Sequence, residues 1–195
     1  MAYAQETIFQ TWTSAGIEKK LSKKLSLLVS EELRLGYNKP NEYSFLSEAG
    51  MKYKLGKKMD ASFNFRVTVK ANEIAYRPYI DLSYEIDIQK FTIEPRLRYQ
   101  YQLQKNEPAE NYFRAKTTLK YEINKQWQPY VSGELFYHAF YYKGSLFDEY
   151  RLAAGIEHTY KKAHTIKLYY LYDQEFNINN PTQRHAAGLA YEYEF

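Results

Sequence analysis

The chain has 195 residues, a formal net charge of +4 and no cysteine, so it can form one sizeable domain but no disulfide and no thiol-based site. Basic and acidic residues are interleaved, which gives no support for nucleic-acid binding. No run approaches the roughly 18 apolar residues of a membrane-spanning helix. Tyrosine is unusually frequent, with 22 residues, and aromatic residues make up 18% of the chain. Since aromatic and β-branched residues favour strands, the composition predicts an all-β protein.

The first residues resemble the end of a secretory signal. Ala2-Tyr-Ala-Gln5 has the A-x-A form that precedes a cleavage site, here after Ala4. We therefore expect residues 1–7 to be a mature N-terminus or signal remnant and residues 8–195 to form one β-barrel domain. A short disordered start is the alternative.

Segments with alternating apolar and polar residues follow one another along the chain. They cover 8–18, 25–36, 43–55, 61–71, 76–88, 91–103, 113–123, 127–140, 149–160, 164–176 and 185–195. Each is near the ~9–11 residues with which a tilted strand crosses an outer membrane. Short connections (19–24, 56–60, 89–90, 124–126 and 161–163) alternate with longer polar ones. This pattern predicts a single antiparallel transmembrane β-barrel with short periplasmic turns and longer extracellular loops.

Two residues interrupt the alternation. Glu31 falls on the apolar face of segment 25–36, and a bulge or a position near the rim would explain it. Pro95 falls on the apolar face of segment 91–103, where we expect a bulge or a weak point in strand pairing.

The number of strands is ambiguous. If strands alternate in direction, segment 8–18 runs parallel to the closing strand, whereas single-chain bacterial barrels usually have an even number of strands. A barrel of about 10 strands, with segment 8–18 in the lumen or at an edge, is favoured because Thr11, Thr13 and Ala15 make a poor lipid-facing surface. Barrels of 11 or 12 strands are the alternatives, and segment 8–18 could also form an ordinary hairpin with 25–36.

Alternation does not decide which face of the wall is outside. A soluble lipocalin-like barrel would place the apolar residues inside. Aromatic residues at the ends of the apolar faces and mid-strand charges of both signs favour a membrane barrel instead. The predicted membrane-facing girdle is Tyr43, Tyr53, Tyr99, Tyr101, Tyr191, Tyr193 and Phe195. The predicted charged lumen lining is Glu32, Arg34, Glu48, Arg66, Asp81, Glu85, Glu94, Arg96, Arg98, Arg114, Glu134, His138, Arg151 and Glu157.

Four parts of the sequence resemble known outer-membrane barrels. The alternating, aromatic-terminated end 185–195 resembles a closing strand that is read by the barrel-insertion machinery. Trp12, the run Glu31-Glu32-Leu33-Arg34 and the run Glu94-Pro95-Arg96-Leu97-Arg98-Tyr99 resemble an uncharacterised family of small outer-membrane barrels from Bacteroides-type bacteria, classed as a domain of unknown function. The resemblance implies a fold and an outer-membrane location, and it implies no catalytic residue.

Candidate chemistry is sparse. Ser132, Glu134 and His138 share one face of segment 127–140, but Ser132 and His138 are ~20 Å apart along a strand, too far for a hydrogen bond. The histidines lack metal-ligand spacing, so we expect neither catalytic residues, nor a metal, nor a cofactor. Two main functions remain: a non-enzymatic structural or accessory subunit of an envelope complex, whose lumen is filled by paired charges, and a narrow passive channel for small solutes. An outer-membrane hydrolase that uses His138 is a distant third alternative. The expected partners are outer-membrane lipid, the insertion machinery and, as an open alternative, another outer-membrane protein.

Overall fold

The structure is a computed structural model that describes residues 6–38, 42–71, 73–141 and 144–195, nearly all of them in β-strands or the turns between strands. The strands are β1 Glu6–Lys20, β2 Leu25–Gly36, β3 Tyr43–Lys54, β4 Met59–Lys70, β5 Glu73–Tyr84, β6 Ile86–Ile88, β7 Phe91–Gln104, β8 Glu110–Tyr121, β9 Trp127–Ala139, β10 Leu146–Tyr160, β11 His164–Glu175 and β12 Thr182–Glu194. The all-β prediction is confirmed. In the described residues, no helix is long and apolar enough to cross a membrane. The predicted signal remnant falls largely on residues 1–5, which lie outside the described residues.

The strands form one closed barrel. Consecutive long strands pair antiparallel around the sheet, and β1 closes it by pairing parallel with β12 while also pairing antiparallel with β2. The short strand β6 keeps the register of β5 against β7, so it extends that strand. The barrel wall therefore has eleven strands. Short turns, including 21–24 and 161–163, lie at the end of the barrel that we call the turn end, and we call the opposite end the loop end.

The expectation of ten wall strands with segment 8–18 in the lumen is wrong. Strand β1 is part of the wall over its whole length, from the pair Glu6–Thr182 to Glu18–Glu194 with β12. In the structure β1 pairs with β2 on one side and with β12 on the other, so neither β2 nor β12 has an unpaired edge. Thr11, Thr13 and Ala15 do lie on the outer face, where small and β-branched side chains suit a strand.

Prolines coincide with both gaps in the ladder between β5 and β7. In this register Pro78 stands opposite Tyr101, and no pair forms there. The ladder is interrupted again where Tyr84 stands opposite Pro95, at the junction of β5 and β6. Because proline has no N–H group to donate, it weakens a ladder. Pro95 therefore marks a weak point in pairing, as its position in the sequence predicted.

The polarity of the barrel is inverted relative to a soluble barrel. Exposed apolar side chains cover the outer face, for example Val29, Phe63, Leu97 and Leu168, all more than half exposed. The buried polar residues face inward and include Asp81, Arg98, Arg114, Glu134 and Asp173. The lipocalin-like alternative does not fit this arrangement.

Glu31 is a charged residue on the outer face near the middle of β2. It stands in register with Ala15 on β1 and with Ser47 on β3, and both ladders pass through it without a register shift. The expectation of a bulge or a rim position is therefore wrong. Glu31 is exposed, and the Ser47 hydroxyl donates a hydrogen bond to its Oε2 atom at 2.6 Å.

Candidate functional site

The lumen holds a belt of ion pairs, and its centre is Glu134 on β9. Arg114 on β8 donates to both carboxylate oxygens of Glu134, from Nε at 3.1 Å and from Nη2 at 2.9 Å. Arg96 on β7 donates to the same carboxylate at 2.9 Å. The side chains of Arg114 and Glu134 are nearly inaccessible to solvent. These three residues meet because β7, β8 and β9 pair in register, with Lys116 opposite both Arg96 and Glu134.

A second pair continues the belt toward β5. Arg98 donates from Nε and Nη2 to the two oxygens of Asp81, both at 2.7 Å. Its guanidinium also stacks on Tyr79, 3.7 Å from the ring centroid. Bidentate charge-assisted hydrogen bonds of this kind fix both side chains in position, so the belt is rigid on this side of the lumen.

The opposite side of the belt centres on Asp173, which is only 1% exposed. Arg151 donates to its Oδ2 atom at 2.6 Å, and Arg184 donates to the same atom at 3.0 Å. Arg151 also donates to Glu149 at 2.9 Å. Arg151 stands opposite Glu134 in the register of β10 with β9, so the belt follows the inner wall from β5 and β7 to β12. It places nearly every guanidinium of the described lumen beside a carboxylate.

Aromatic side chains fill the space beside the belt. Trp12 is 4% exposed and packs with Leu171 and Ala186, with Tyr169 against this cluster. Arg34 stacks on Trp12, 3.7 Å from the ring centroid. Tyr169 lies over Gly188, where the missing side chain leaves room for the ring.

A cavity of about 570 Å³ lies within the lumen. Its lining is mostly polar and contains more basic than acidic side chains. The basic residues are Arg34, Arg66, Lys70, Arg77, Arg96, Arg98, Arg114, Lys116, Lys120, Arg151, Lys167 and Arg184, and the acidic residues are Glu32, Glu94, Glu110, Glu134, Glu149, Glu157 and Glu175.

The structure brings most of the predicted lumen residues together. Glu32, Arg34, Arg66, Glu94, Arg96, Arg98, Arg114, Glu134, Arg151 and Glu157 line the cavity. Asp81 is buried against Arg98, and Glu48 accepts a hydrogen bond from Arg66 at 2.6 Å.

Glu85 is the exception among the predicted lumen residues, because it lies exposed at the rim of the barrel. It sits in the break between β5 and β6 at the turn end, and its backbone N–H donates to the carbonyl of Lys58 at 2.9 Å. Lys58 in turn donates to Asp87 at 3.0 Å, and this hydrogen bond raises the pKa of Lys58. Glu85 is exposed at this rim and takes no part in the belt.

His138 has an acidic partner that the sequence pattern did not reveal. A bulge at Asp148 in β10 turns that carboxylate inward, and Asp148 Oδ2 lies 3.2 Å from His138 Nδ1. The imidazole lies between the rings of Tyr112 and Tyr141, each with a centroid 4.3 Å away. Ser132 pairs in register with Thr118 and Ala153, and it is not among the contacts of His138. In the described part of the chain, no group of acidic, histidine or cysteine side chains could hold a metal ion.

The lumen also contains three charged residues that the alternation did not predict: Arg184, Glu149 and Arg77. Arg184 lies at the start of β12, upstream of the predicted segment 185–195, and extending the alternation by one period would have included it. Glu149 follows the bulge at Asp148, where two consecutive side chains turn inward. Arg77 donates to Gln102 at 2.9 Å. It lies on the inward face of the predicted segment 76–88, but it was not among the predicted lumen residues.

The predicted girdle residues face outward. Tyr43, Tyr53, Tyr99, Tyr191 and Phe195 are exposed, and Tyr101 and Tyr193 are half-buried. Tyr43 begins β3 and Tyr53 lies near its end, so the two rings mark opposite rims of the apolar wall.

Solved structures with a similar fold are bacterial outer-membrane barrels. NanC porin, in a rhombohedral crystal form, aligns with a TM-score of 0.56 and 14% identity over 85% of this chain and 86% of that chain. The translocator domain of autotransporter NalP from Neisseria meningitidis aligns with a TM-score of 0.49 and 11% identity over 85% of this chain and 72% of that chain. In-vitro folded OmpT, an outer membrane protein of Vibrio cholerae, aligns with a TM-score of 0.47 and 11% identity over 80% of this chain and 52% of that chain. At 14% identity the likeness to NanC porin shows the fold alone, and the other two alignments, with TM-scores below 0.5, carry no argument.

A closed barrel with an apolar wall and a charged lumen has the architecture of outer-membrane β-barrel proteins. The chain belongs to the family described as "Protein of unknown function (DUF2490)", which matches residues 9–184. The predicted resemblance to a family of unknown function is therefore confirmed, whereas an origin in Bacteroides-type bacteria stays a prediction. No curated protein matches the chain.

Proposed function

We propose that the protein is an integral outer-membrane β-barrel that acts as a non-enzymatic structural or accessory subunit of an envelope complex, with a largely filled, charged lumen. The observation that carries the proposal is the inverted polarity of the barrel. Leucine, valine, phenylalanine and tyrosine cover the outer face on every side of the barrel, and the ion pairs lie inside. Soluble monomers rarely expose a contiguous apolar surface of more than a few hundred Å².

Strand length and aromatic placement support a membrane location. The eleven wall strands are 12 to 15 residues long, enough to cross the hydrocarbon layer at the usual tilt of such strands. Tyrosine rings at both strand ends would lie at the two membrane–water interfaces. In the orientation expected for outer-membrane barrels, the turn end faces the periplasm and the loop end faces outward.

Membrane insertion is tested by folding the purified chain into phospholipid vesicles. We expect the band of the folded barrel on a denaturing gel to migrate differently before and after boiling. We also expect the protein to resist extraction from the vesicles by carbonate. A compact monomer that stays dissolved in detergent-free buffer would contradict the proposal.

The filled lumen is tested by conductance in planar bilayers. The belt of ion pairs and the ring of Trp12 occupy the interior, so we expect the wild-type barrel to give no steady openings. Steady, ion-sized openings would contradict a filled lumen. Co-purification of a stoichiometric membrane protein from native membranes would support the accessory role.

A narrow passive channel is the second candidate, and the cavity of about 570 Å³ in the lumen favours it. Since more basic than acidic residues line this cavity, such a channel would prefer small anions. Reversal potentials in a salt gradient would reveal this preference if the barrel conducts.

Absence of enzymatic activity is also part of the proposal. The contact between His138 and Asp148 resembles half of a catalytic triad, but hydrolysis by this route also needs a nucleophile within hydrogen-bond reach of the imidazole. We expect the purified barrel to release no fatty acid from phospholipid vesicles. Hydrolysis that disappears in His138→Ala would contradict this.

A further inference from the structure

We propose that the outer wall around Glu31 is the surface on which a second membrane protein docks, and that this partner supplies a lysine or arginine side chain to the Glu31 carboxylate. The proposal rests on the membrane location proposed above and identifies the surface and the chemistry of the contact. The proposed docking patch consists of Glu31 with its outer-face neighbours Thr13, Ala15, Ser47 and Ala49.

Glu31 lies midway between the two rims of the wall. On the neighbouring strand β3, Tyr43 pairs with Leu35 near the loop end and Tyr53 pairs with Leu25 near the turn end. The pair formed by Glu31 and Ser47 lies between these two levels. In the proposed membrane this places a carboxylate at the depth where hydrocarbon surrounds the wall, and ionisable residues at that depth generally mark a functional contact.

The carboxylate is not neutralised within this chain. The Ser47 hydroxyl donates one hydrogen bond to Oε2, and no basic residue of the described chain pairs with Glu31. Carboxylates on the inner face, by contrast, have cationic partners: Asp81, Glu134 and Asp173 each accept hydrogen bonds from an arginine. The chain can therefore build buried ion pairs, and at Glu31 it leaves the cation to another molecule.

Charge complementarity favours a different protein over a second copy of this chain. At the outward-facing positions of the described strands, the only Asp, Glu, Lys or Arg residues are Glu31 and Lys19, and Lys19 lies beside the turn end. A second copy could therefore bring no cation to this depth, and a two-fold contact would bring two carboxylates together. A partner strand or helix with a lysine or arginine at mid-depth matches the patch.

The shape of the patch also permits a close approach. Ala15 and Ser47 flank Glu31 on the adjacent strands, and Thr13 and Ala49 lie diagonally beside it. Larger side chains surround this group, among them Leu33 and Met51, both exposed. A partner backbone could thus reach the carboxylate without displacing a large side chain of this barrel, and small residues at membrane interfaces allow such packing.

The test uses the full chain in its native membrane, with benzoylphenylalanine in place of Leu33, an exposed outer-face neighbour of Glu31, as the photo-crosslinking probe. The matched control carries the same probe in place of Thr117, an outward residue of β8 on the far side of the barrel. We expect one membrane protein to be crosslinked from position 33 and not from position 117, at a peptide that contains a membrane-embedded lysine or arginine. Crosslinks to lipid alone, to a second copy of this chain, or equally from both positions would overturn the proposal.

Charge substitution then tests the contact itself. Glu31→Gln should lower the crosslink yield about tenfold or more, Glu31→Asp should retain most of it, and Glu31→Arg should abolish it until the partner's basic residue is changed to glutamate. The boiling-dependent mobility of each variant checks that the barrel is folded. A complex that forms equally well with Glu31→Gln overturns this inference and leaves the accessory role standing. A folded barrel with no partner contradicts the accessory role itself.

Discussion

Arg114 grips Glu134 with two parallel hydrogen bonds, at 3.1 and 2.9 Å, in a part of the lumen from which both side chains are almost fully shielded. Arg96 shares the same carboxylate, so one acidic residue compensates two guanidinium groups. Removing that acid leaves the buried Arg114 and the partly exposed Arg96 without it, and the cost of an uncompensated buried charge exceeds the worth of the original pair.

Glu134→Gln should therefore lower the free energy of unfolding by about 3–5 kcal/mol. Urea unfolding of the vesicle-embedded barrel, followed by tryptophan fluorescence, measures this change. The control is Glu192→Gln, because Glu192 is half-exposed where it pairs with Lys167, and such a pair contributes less than about 1 kcal/mol. Equal losses in the two variants would mean that water screens the belt.

Gly188 and Tyr169 are coupled by a lack of space. A Cβ atom at Gly188 would overlap the Tyr169 ring, so Gly188→Ala should force the ring to move and cost about 1–3 kcal/mol. Gly56→Ala is the matched control, because nothing lies within 4 Å of the added atom. In a double-mutant cycle, Tyr169→Ala should remove most of the effect of Gly188→Ala. Additive effects of the two substitutions would show that the ring does not depend on this glycine.

The strands could be predicted where the polarity of each side chain indicates which face of the strand it lies on. Leu25–Gly36 has the predicted bounds because apolar and polar residues alternate along most of it, with Leu28 and Glu31 as exceptions. The inward direction of the charges followed from the aromatic residues at the ends of the apolar faces.

Pairing between distant strands could not be predicted in the same way. Strand β1 pairs parallel with β12 because both wall edges need partners, and nothing in the residues 6–20 encodes that choice. The contact between His138 and Asp148 depends on a bulge that shifts the alternation by one residue, and a shift of one residue turns a side chain to the opposite face.

Trp12 should determine whether the lumen conducts. It is 4% exposed, and it packs beside Tyr169 and under the guanidinium of Arg34. We expect the double variant Trp12→Ala/Tyr169→Ala to open the lumen and give steady openings in planar bilayers, with a preference for anions because more basic than acidic residues line the cavity. The wild-type barrel should give none. Equal conductance of the two proteins would place the permeation path, or the block, elsewhere.

Phe195 should matter for assembly in cells more than for stability. Its ring is exposed and stacks on Tyr193 with 5.3 Å between the ring centroids, and its backbone N–H donates to the backbone carbonyl oxygen of Glu18 at 3.0 Å. Phe195→Ala keeps the backbone bond and removes the ring, so we expect less protein in the outer membrane of cells but normal folding into vesicles. Tyr160→Ala, which removes another exposed ring at the turn end, is the control. If both variants reach the membrane normally, recognition of this ring by the insertion machinery is not required.

Glu31→Leu should make the isolated barrel more stable. In vesicles that contain only this protein, no partner supplies a cation, so the carboxylate is left in hydrocarbon with one serine hydroxyl as its donor. Its replacement should raise the free energy of unfolding by about 1–2 kcal/mol, less than the cost known for basic residues at mid-membrane. Thr117→Leu, on the far side of the barrel, controls for added apolar area. Urea titrations in vesicles and in detergent should differ, since detergent micelles admit more water to the wall. A stabilising substitution that also abolishes the proposed complex would mean that the carboxylate is kept for binding at the expense of stability. An unchanged stability in vesicles would mean that Glu31 does not lie at hydrocarbon depth.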